Sequence, residues 1–210
     1  MTSGSSTLTA STRLIRTDIP HSWAWMRPDL LVRIGPFGAV CAIAYLLASR
    51  PQWFGWSAGR LEVQLVFAAV GAPLLFVAAM LVQLFLTRRR GVLSVPADAR
   101  DAWFQAGYYA VNGPIEEAFF RGLAQGGLSL LWGPFAGFAV ATSVYVLYHK
   151  LGRWTWPDTF ATALLGVPLG LAFWLLPGPP SLLGISIAHI ACTCGFLGPG
   201  PYLLKKLGLV

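Results

Sequence analysis

Apolar residues come in long, nearly unbroken runs in this chain rather than at the spacing of a half-buried helix or the alternation of a strand. Such runs cover 30–48, 61–86, 114–132, 135–149, 159–176 and 181–197. A hydrocarbon core takes roughly 17–25 mostly apolar residues to cross as a helix, so most of the runs read as spans, with 135–149 short for a full crossing. The punctuation between them agrees. Arg88-Arg89-Arg90 stops the second run, Gly133-Pro134 divides the third from the fourth, and Pro177-Gly178-Pro179-Pro180 turns the chain into the sixth. Asn112-Gly113-Pro114 predicts a turn that puts proline at a first helical position, where its missing N–H does no harm. Residues 91–112 are mixed, and Trp103, Tyr108, Tyr109 and Val111 suggest an amphipathic helix lying at the interface. Residues 1–29 are polar, and Met1 to about Pro20 reads as a disordered tail. The expectation is an all-α, polytopic transmembrane helical bundle of about six spans, with a cytoplasmic tail over 1–29, a membrane domain over 30–210 and no internal repeat.

Composition strengthens this picture. Hydrophobic residues make up 56% of the 210 positions, charged residues 11%, and mean hydropathy is +0.63. A water-soluble domain of this size lacks the polar surface to cover that core. A net charge of +7 would suit a nucleic-acid partner, but no segment is densely basic, and topology accounts for the excess. With the amino terminus in the cytoplasm, Arg13, Arg16, Arg27, Arg88, Arg89, Arg90, Arg100, Lys150, Arg153, Lys205 and Lys206 fall inside, and only Arg50 and Arg60 outside. Eight of the nine tryptophans lie near predicted span boundaries, as an interfacial ring should. No signal peptide is expected. Cys41, Cys192 and Cys194 lie in apolar runs, lack a metal-binding pattern and read as small packing residues. The expected setting is a bacterial inner membrane.

An ionised side chain at depth costs at least ~2.5–3.5 kcal/mol on insertion scales, so each one inside a span needs a partner or a purpose. Apart from Arg33 near an end, the set is Glu116, Glu117, Arg121, His149 and His189. The two glutamates are expected in the first turn of the third helix, where free N–H groups favour carboxylates. Glu117 and Arg121 share a face at i, i+4, and Glu116 points roughly 100° away. One carboxylate is then held as a counter-ion while its neighbour faces a cavity. His149 ends the fourth span, and His189 lies mid-way along the sixth with Thr193 one turn beyond. Topology brings all of them to the inner half of the membrane. A carboxylate and two imidazoles in one cavity suit acid–base chemistry near neutral pH. The same set also suits a zinc ion held by two histidines and a glutamate, and spacing does not separate the two.

The residues Glu116-Glu117-Ala118-Phe119-Phe120-Arg121-Gly122 resemble the EExxxR motif of the CPBP family, which includes the CAAX prenyl proteases. Tyr145-Val146-Leu147-Tyr148-His149 resembles its FxxxH motif, with tyrosine first. His189-Ile190-Ala191-Cys192-Thr193 resembles HxxxN, with threonine in place of asparagine. The three stand in the family's order. The resemblance implies a metal-independent, cofactor-free intramembrane endopeptidase of the glutamic type. In it Glu116 and His149 activate water, His189 and Thr193 stabilise the oxyanion, and Glu117, Arg121 and Tyr145 support the site. The implied partner is a membrane-anchored peptide or protein, prenylated or bearing a carboxy-terminal sorting segment of the myxosortase kind. Two other readings stay open: a non-catalytic membrane scaffold or immunity-type protein with a degenerate site, and a zinc-dependent intramembrane protease.

Overall fold

A computed structural model describes residues 12–210, and seven helices account for most of them. A strand, β1 (Arg13–Thr17), leads into α1 (Ile19–Leu47), whose turns widen to π geometry over Leu30–Ile34. Asp18 caps α1 by accepting the His21 N–H at 2.9 Å. The long helix α2 (Leu61–Arg90) stops at Gly91, whose φ of +68° gives the left-handed residue that closes a helix. Strand β2 (Val92–Pro96) then pairs with β1 in parallel, Arg13 opposite Val92 and Thr17 opposite Pro96. Next comes α3, residues 99–132, capped by Asp98 and π-helical over Ala118–Gly126. The remaining helices are α4 (Pro134–Tyr148), α5 (Trp156–Leu175), α6 (Leu183–Phe196) and α7 (Pro199–Lys206).

The polarity of the fold is inverted relative to a water-soluble domain. Val32, Leu47, Val66 and Leu74 point outward along α1 and α2, while Gln64, Gln83, Glu116, Glu117, Arg121, Gln125 and His189 are buried. Apolar groups outside and ionisable groups within are what a hydrocarbon solvent selects. The chain is an integral membrane protein with an all-helical bundle. By length and apolarity Ile19–Leu47, Leu61–Arg90 and Trp156–Leu175 each suffice to cross, and α6 with α7, bent by 45°, make a fourth candidate. Of the six expected spans, α4 is short, and α3 carries too many charges along its length to meet that measure.

Three expectations are corrected here. Residues 91–112 hold a strand and the start of α3, not a separate interfacial helix. Asn112-Gly113-Pro114 lies inside α3 and makes no turn, because flanking contacts outweigh the poor helix propensity of these residues. The segment from Arg13 to Pro20 is ordered as β1 and the start of α1; residues 1–11 lie outside the described part. A buried polar latch explains that order. Asp101 on α3 accepts from Thr17 Oγ1 and from Ser22 Oγ, each at 2.7 Å, and Gln105 Nε2 donates to Thr17 Oγ1 at 3.1 Å. The latch fixes α1 against α3 and so fixes what α1 carries further along.

Polar links gather the loops at two ends. At one, Arg90 Nη1 donates to Asp158 Oδ2 at 2.6 Å, joining the end of α2 to the start of α5. At the other, Leu182 N–H donates to Gly55 O at 2.9 Å and Ser181 Oγ to Ser57 O at 2.8 Å. The helices therefore run between a basic end and an end that carries Arg50 and Arg60.

Candidate active site

Glu116 and Glu117 sit in the interior of α3, not in its first turn, so no free helix N–H groups reach them. Side chains hold them instead, and adjacent positions on a helix send the two in different directions. Behind the site Glu117 meets Arg121, which is fully buried. Their Oε2 and Nε atoms face each other at 3.5 Å, an ion pair outside hydrogen-bond geometry, and neither atom has another partner among the described residues. The rest of the guanidinium is tightly bonded. Arg121 Nη1 donates to Thr142 Oγ1 and Nη2 to Gly166 O, both at 2.8 Å, and the group lies 5.3 Å from the centre of the Tyr145 ring. Glycine is required where α5 makes this approach. A Cβ on Gly170 would fall 2.8 Å from Thr142 Oγ1 and 2.9 Å from Arg121 Nη1, and one on Gly166 would fall 2.9 Å from the Tyr145 ring.

Glu117 also accepts from His189 Nδ1 at 2.6 Å. A carboxylate accepts only, so this contact puts a proton on Nδ1 and turns the other ring nitrogen, Nε2, toward Glu116 Oε2 at 3.5 Å. His149 is oriented by the same logic. Its Nδ1 donates to the carbonyl of Tyr145 at 2.8 Å, which leaves Nε2 of the neutral ring as an acceptor. Tyr145 and Trp154 pack edge-on to the imidazole with centroids at 4.8 and 5.1 Å.

The front of the site is a cavity of about 610 Å³. Glu116, His149, His189, Thr193 and Tyr145 all line it, while Glu117 and Arg121 stay behind. One helix thus sends one glutamate to the hollow and the other to a supporting arginine, as the 100° offset predicts. Other parts of the wall are apolar and aromatic, with Phe37, Tyr148, Leu164, Leu165 and Phe196. Among the described residues no group of three or more His, Cys, Asp or Glu side chains is arranged to hold a metal ion.

The sequence reading missed Arg33. Placed near the end of a span by the apolar pattern, it belongs to the interior of α1 and reaches across to Glu116, to which Nη1 donates. Its Nε also donates to Asp29 Oδ1 at 2.7 Å, and Nη2 donates to Tyr108 Oη at 3.1 Å. Asp29 in turn accepts from the Tyr108 hydroxyl. The available signal was spacing: Asp29 and Arg33 stand at i, i+4, a ready-made pair on one face of a helix. Asn112, read as a turn former, is a second omission; it lines the same cavity one turn before Glu116.

The comparisons with known proteins fit this geometry. A family model described as Type II CAAX prenyl endopeptidase Rce1-like matches residues 98–195, a little under half of the chain. The matched segment is similar to the Rce1-like family. No curated protein and no solved structure gives a match. The Rce1-like segment starts at the cap of α3 and ends within α6, so it contains every glutamate, imidazole and threonine of the cavity described above. The likeness supports, at the family level, a CAAX-type intramembrane protease. Arg33 and Asp29 lie outside the Rce1-like segment and join its site from α1.

Proposed function

We propose that the chain is a glutamic intramembrane endopeptidase whose substrate is a membrane-anchored peptide, prenylated or otherwise lipid-tethered. One observation carries the reading: Glu116 of α3, His149 just after α4, and His189 and Thr193 of α6 line one hollow of about 610 Å³. In the reaction Glu116, with His149 Nε2 as a second acceptor on the same cavity, takes a proton from water as the water oxygen bonds to the scissile carbonyl carbon. The carbonyl π pair moves onto oxygen; the Thr193 hydroxyl donates to that oxyanion, and so does His189 Nε2–H in the imidazolium form, whose Nδ1–H Glu117 holds. Collapse restores the C=O, breaks the C–N bond and returns the proton to the departing amine. Arg33 occupies Glu116 Oε1 and leaves Oε2 for water. Glu117 fixes the His189 ring, the part a carboxylate plays beside a catalytic imidazole in other hydrolases. The apolar parts of the wall suit a lipid chain next to the cleaved peptide.

We also place the basic end of the bundle in the cytoplasm, on the positive-inside asymmetry of its loops. The test of the chemistry is cleavage of a fluorogenic farnesylated tetrapeptide by the protein in detergent or liposomes. Glu116→Ala and His149→Ala are each expected to lower kcat by about 10²–10⁴-fold, the usual contribution of a positioned acid–base group. Undiminished turnover by Glu116→Ala removes the proposed mechanism.

A further inference from the structure

Asn112 is a polar residue without a structural task. It is 6% exposed, it sits inside α3, and its amide oxygen meets no donor among the described residues. Asparagine is a poor helix former, and nothing in a helix interior calls for it. Yet it lines the 610 Å³ cavity, four residues before Glu116 and so on the same helical face. The backbone beside it runs close against α6: a Cβ on Gly113 would fall 3.1 Å from Ile190 and 3.5 Å from the His189 ring. Asn112 and the imidazole of His189, on two helices that pack closely here, line the same cavity. Turning it about its last bond exchanges oxygen and NH2, so an uncommitted asparagine offers the hollow two N–H donors in a fixed plane.

We propose that Asn112 is a catalytic residue that donates a side-chain N–H to the oxyanion of the tetrahedral intermediate. This rests on the endopeptidase reading above and extends it. Thr193 provides one rotatable hydroxyl at the end of a short side chain, a weakly oriented donor. An amide from the facing helix completes the set: as water adds and its proton passes to Glu116, negative charge grows on the carbonyl oxygen between His189 on one wall and Asn112 on the other. A donor aimed at developing charge acts on the transition state more than on the bound substrate, so its loss appears in kcat and not in KM.

The experiment compares wild type, Asn112→Leu, Asn112→Ala, Glu116→Ala and the double variant Asn112→Leu with Thr193→Asn on the farnesylated peptide, with thermal unfolding measured for each. Leucine and alanine both favour the helix more than asparagine, so the fold is expected to hold. Asn112→Leu and Asn112→Ala should lower kcat by about 10²–10³-fold with KM within about three-fold of wild type. A trifluoromethyl ketone analogue of the peptide, whose hydrate mimics the tetrahedral carbon, should lose affinity in parallel. Thr193→Asn, by returning an amide to the pocket, should recover at least about ten-fold in kcat. The inference is overturned if Glu116→Ala is inactive while both Asn112 variants keep kcat within about three-fold, if their loss falls on KM, or if Thr193→Asn restores nothing. If wild type does not cleave the peptide, or Glu116→Ala cleaves it normally, the endopeptidase reading itself fails and takes this inference with it.

Discussion

Single residues in this protein are decided by what surrounds a charge in a solvent that cannot hydrate it. Arg121 illustrates the point: Nη1 donates to the Thr142 hydroxyl and Nη2 to the Gly166 carbonyl, the guanidinium lies over the Tyr145 ring, and Nε faces the Glu117 carboxylate as an ion pair. Removing one partner of a buried pair leaves the other uncompensated at a cost of about 3–5 kcal/mol. Arg121→Leu is therefore expected to lower the unfolding midpoint in detergent by roughly 6–20 °C. Arg60→Leu, which removes an exposed pair with Glu62, should leave it within about 4 °C, since exposed pairs contribute about 0–1 kcal/mol. The same principle made much of the site legible in advance. Glu116, Glu117, Arg121, His149 and His189 stand out because ionisable groups are rare within apolar runs. Arg33 did not stand out, because the apolar run begins at Leu30 while the helix begins at Ile19; hydropathy reports where lipid touches the helix, and not where the helix starts. Asn112 was hidden by its neighbours, since Asn-Gly-Pro normally signals a turn.

At the level of elements, local preference gives way to packing in a revealing place. Gly and Pro in a helix interior cost about 1 and 3 kcal/mol relative to alanine, yet Gly113 and Pro114 lie within α3. Proline removes a backbone donor, and the turns that follow, Ala118–Gly126, relax into π geometry. Pro28 in α1 precedes the other π segment, Leu30–Ile34, in the same way. Each π segment carries one of the arginines that hold the glutamates, Arg33 in the first and Arg121 in the second. Wide turns of this kind re-aim side chains and cluster at functional sites. Glycine packing gives a sharper prediction. Gly170→Ala would press a methyl group against Arg121 and Thr142 and should destabilise by about 1–3 kcal/mol, whereas Gly107→Ala, in open space on α3, should stabilise by about 0.5–1 kcal/mol. Thermal unfolding of the two variants side by side decides between them. The strands escaped prediction because two five-residue segments some eighty positions apart carry no shared signal until they meet. Arg13 N–H donates to Gly91 O, so Ile15, two residues on, turns its own N–H toward β2. Ile15→Pro should break that rung and increase hydrogen exchange across Val92–Pro96.

For the whole molecule, the helical bundle and its inverted polarity followed directly from the length of the apolar runs, while the extents of α1 and α3 did not. Both begin earlier than hydropathy suggests, because their first turns are polar and are stabilised by caps and by the Asp101 latch rather than by lipid. The proposed orientation has a direct check. In intact cells a membrane-impermeant maleimide should label Arg60→Cys and spare Arg88→Cys, with the order reversed in inside-out vesicles. The three native cysteines are buried and should stay silent. The union of α1 with the hollow has a further meaning. Trp25, Asp29, Val32, Arg33 and Phe37 face the same space as the glutamates, yet all five precede residue 98. Part of the surface that a guest would meet is thereby written outside the later stretch: on the proposed reading, two proteins sharing that stretch need not accept the same guests, and a chimera that exchanges only the leading helix is expected to shift which peptide is cleaved.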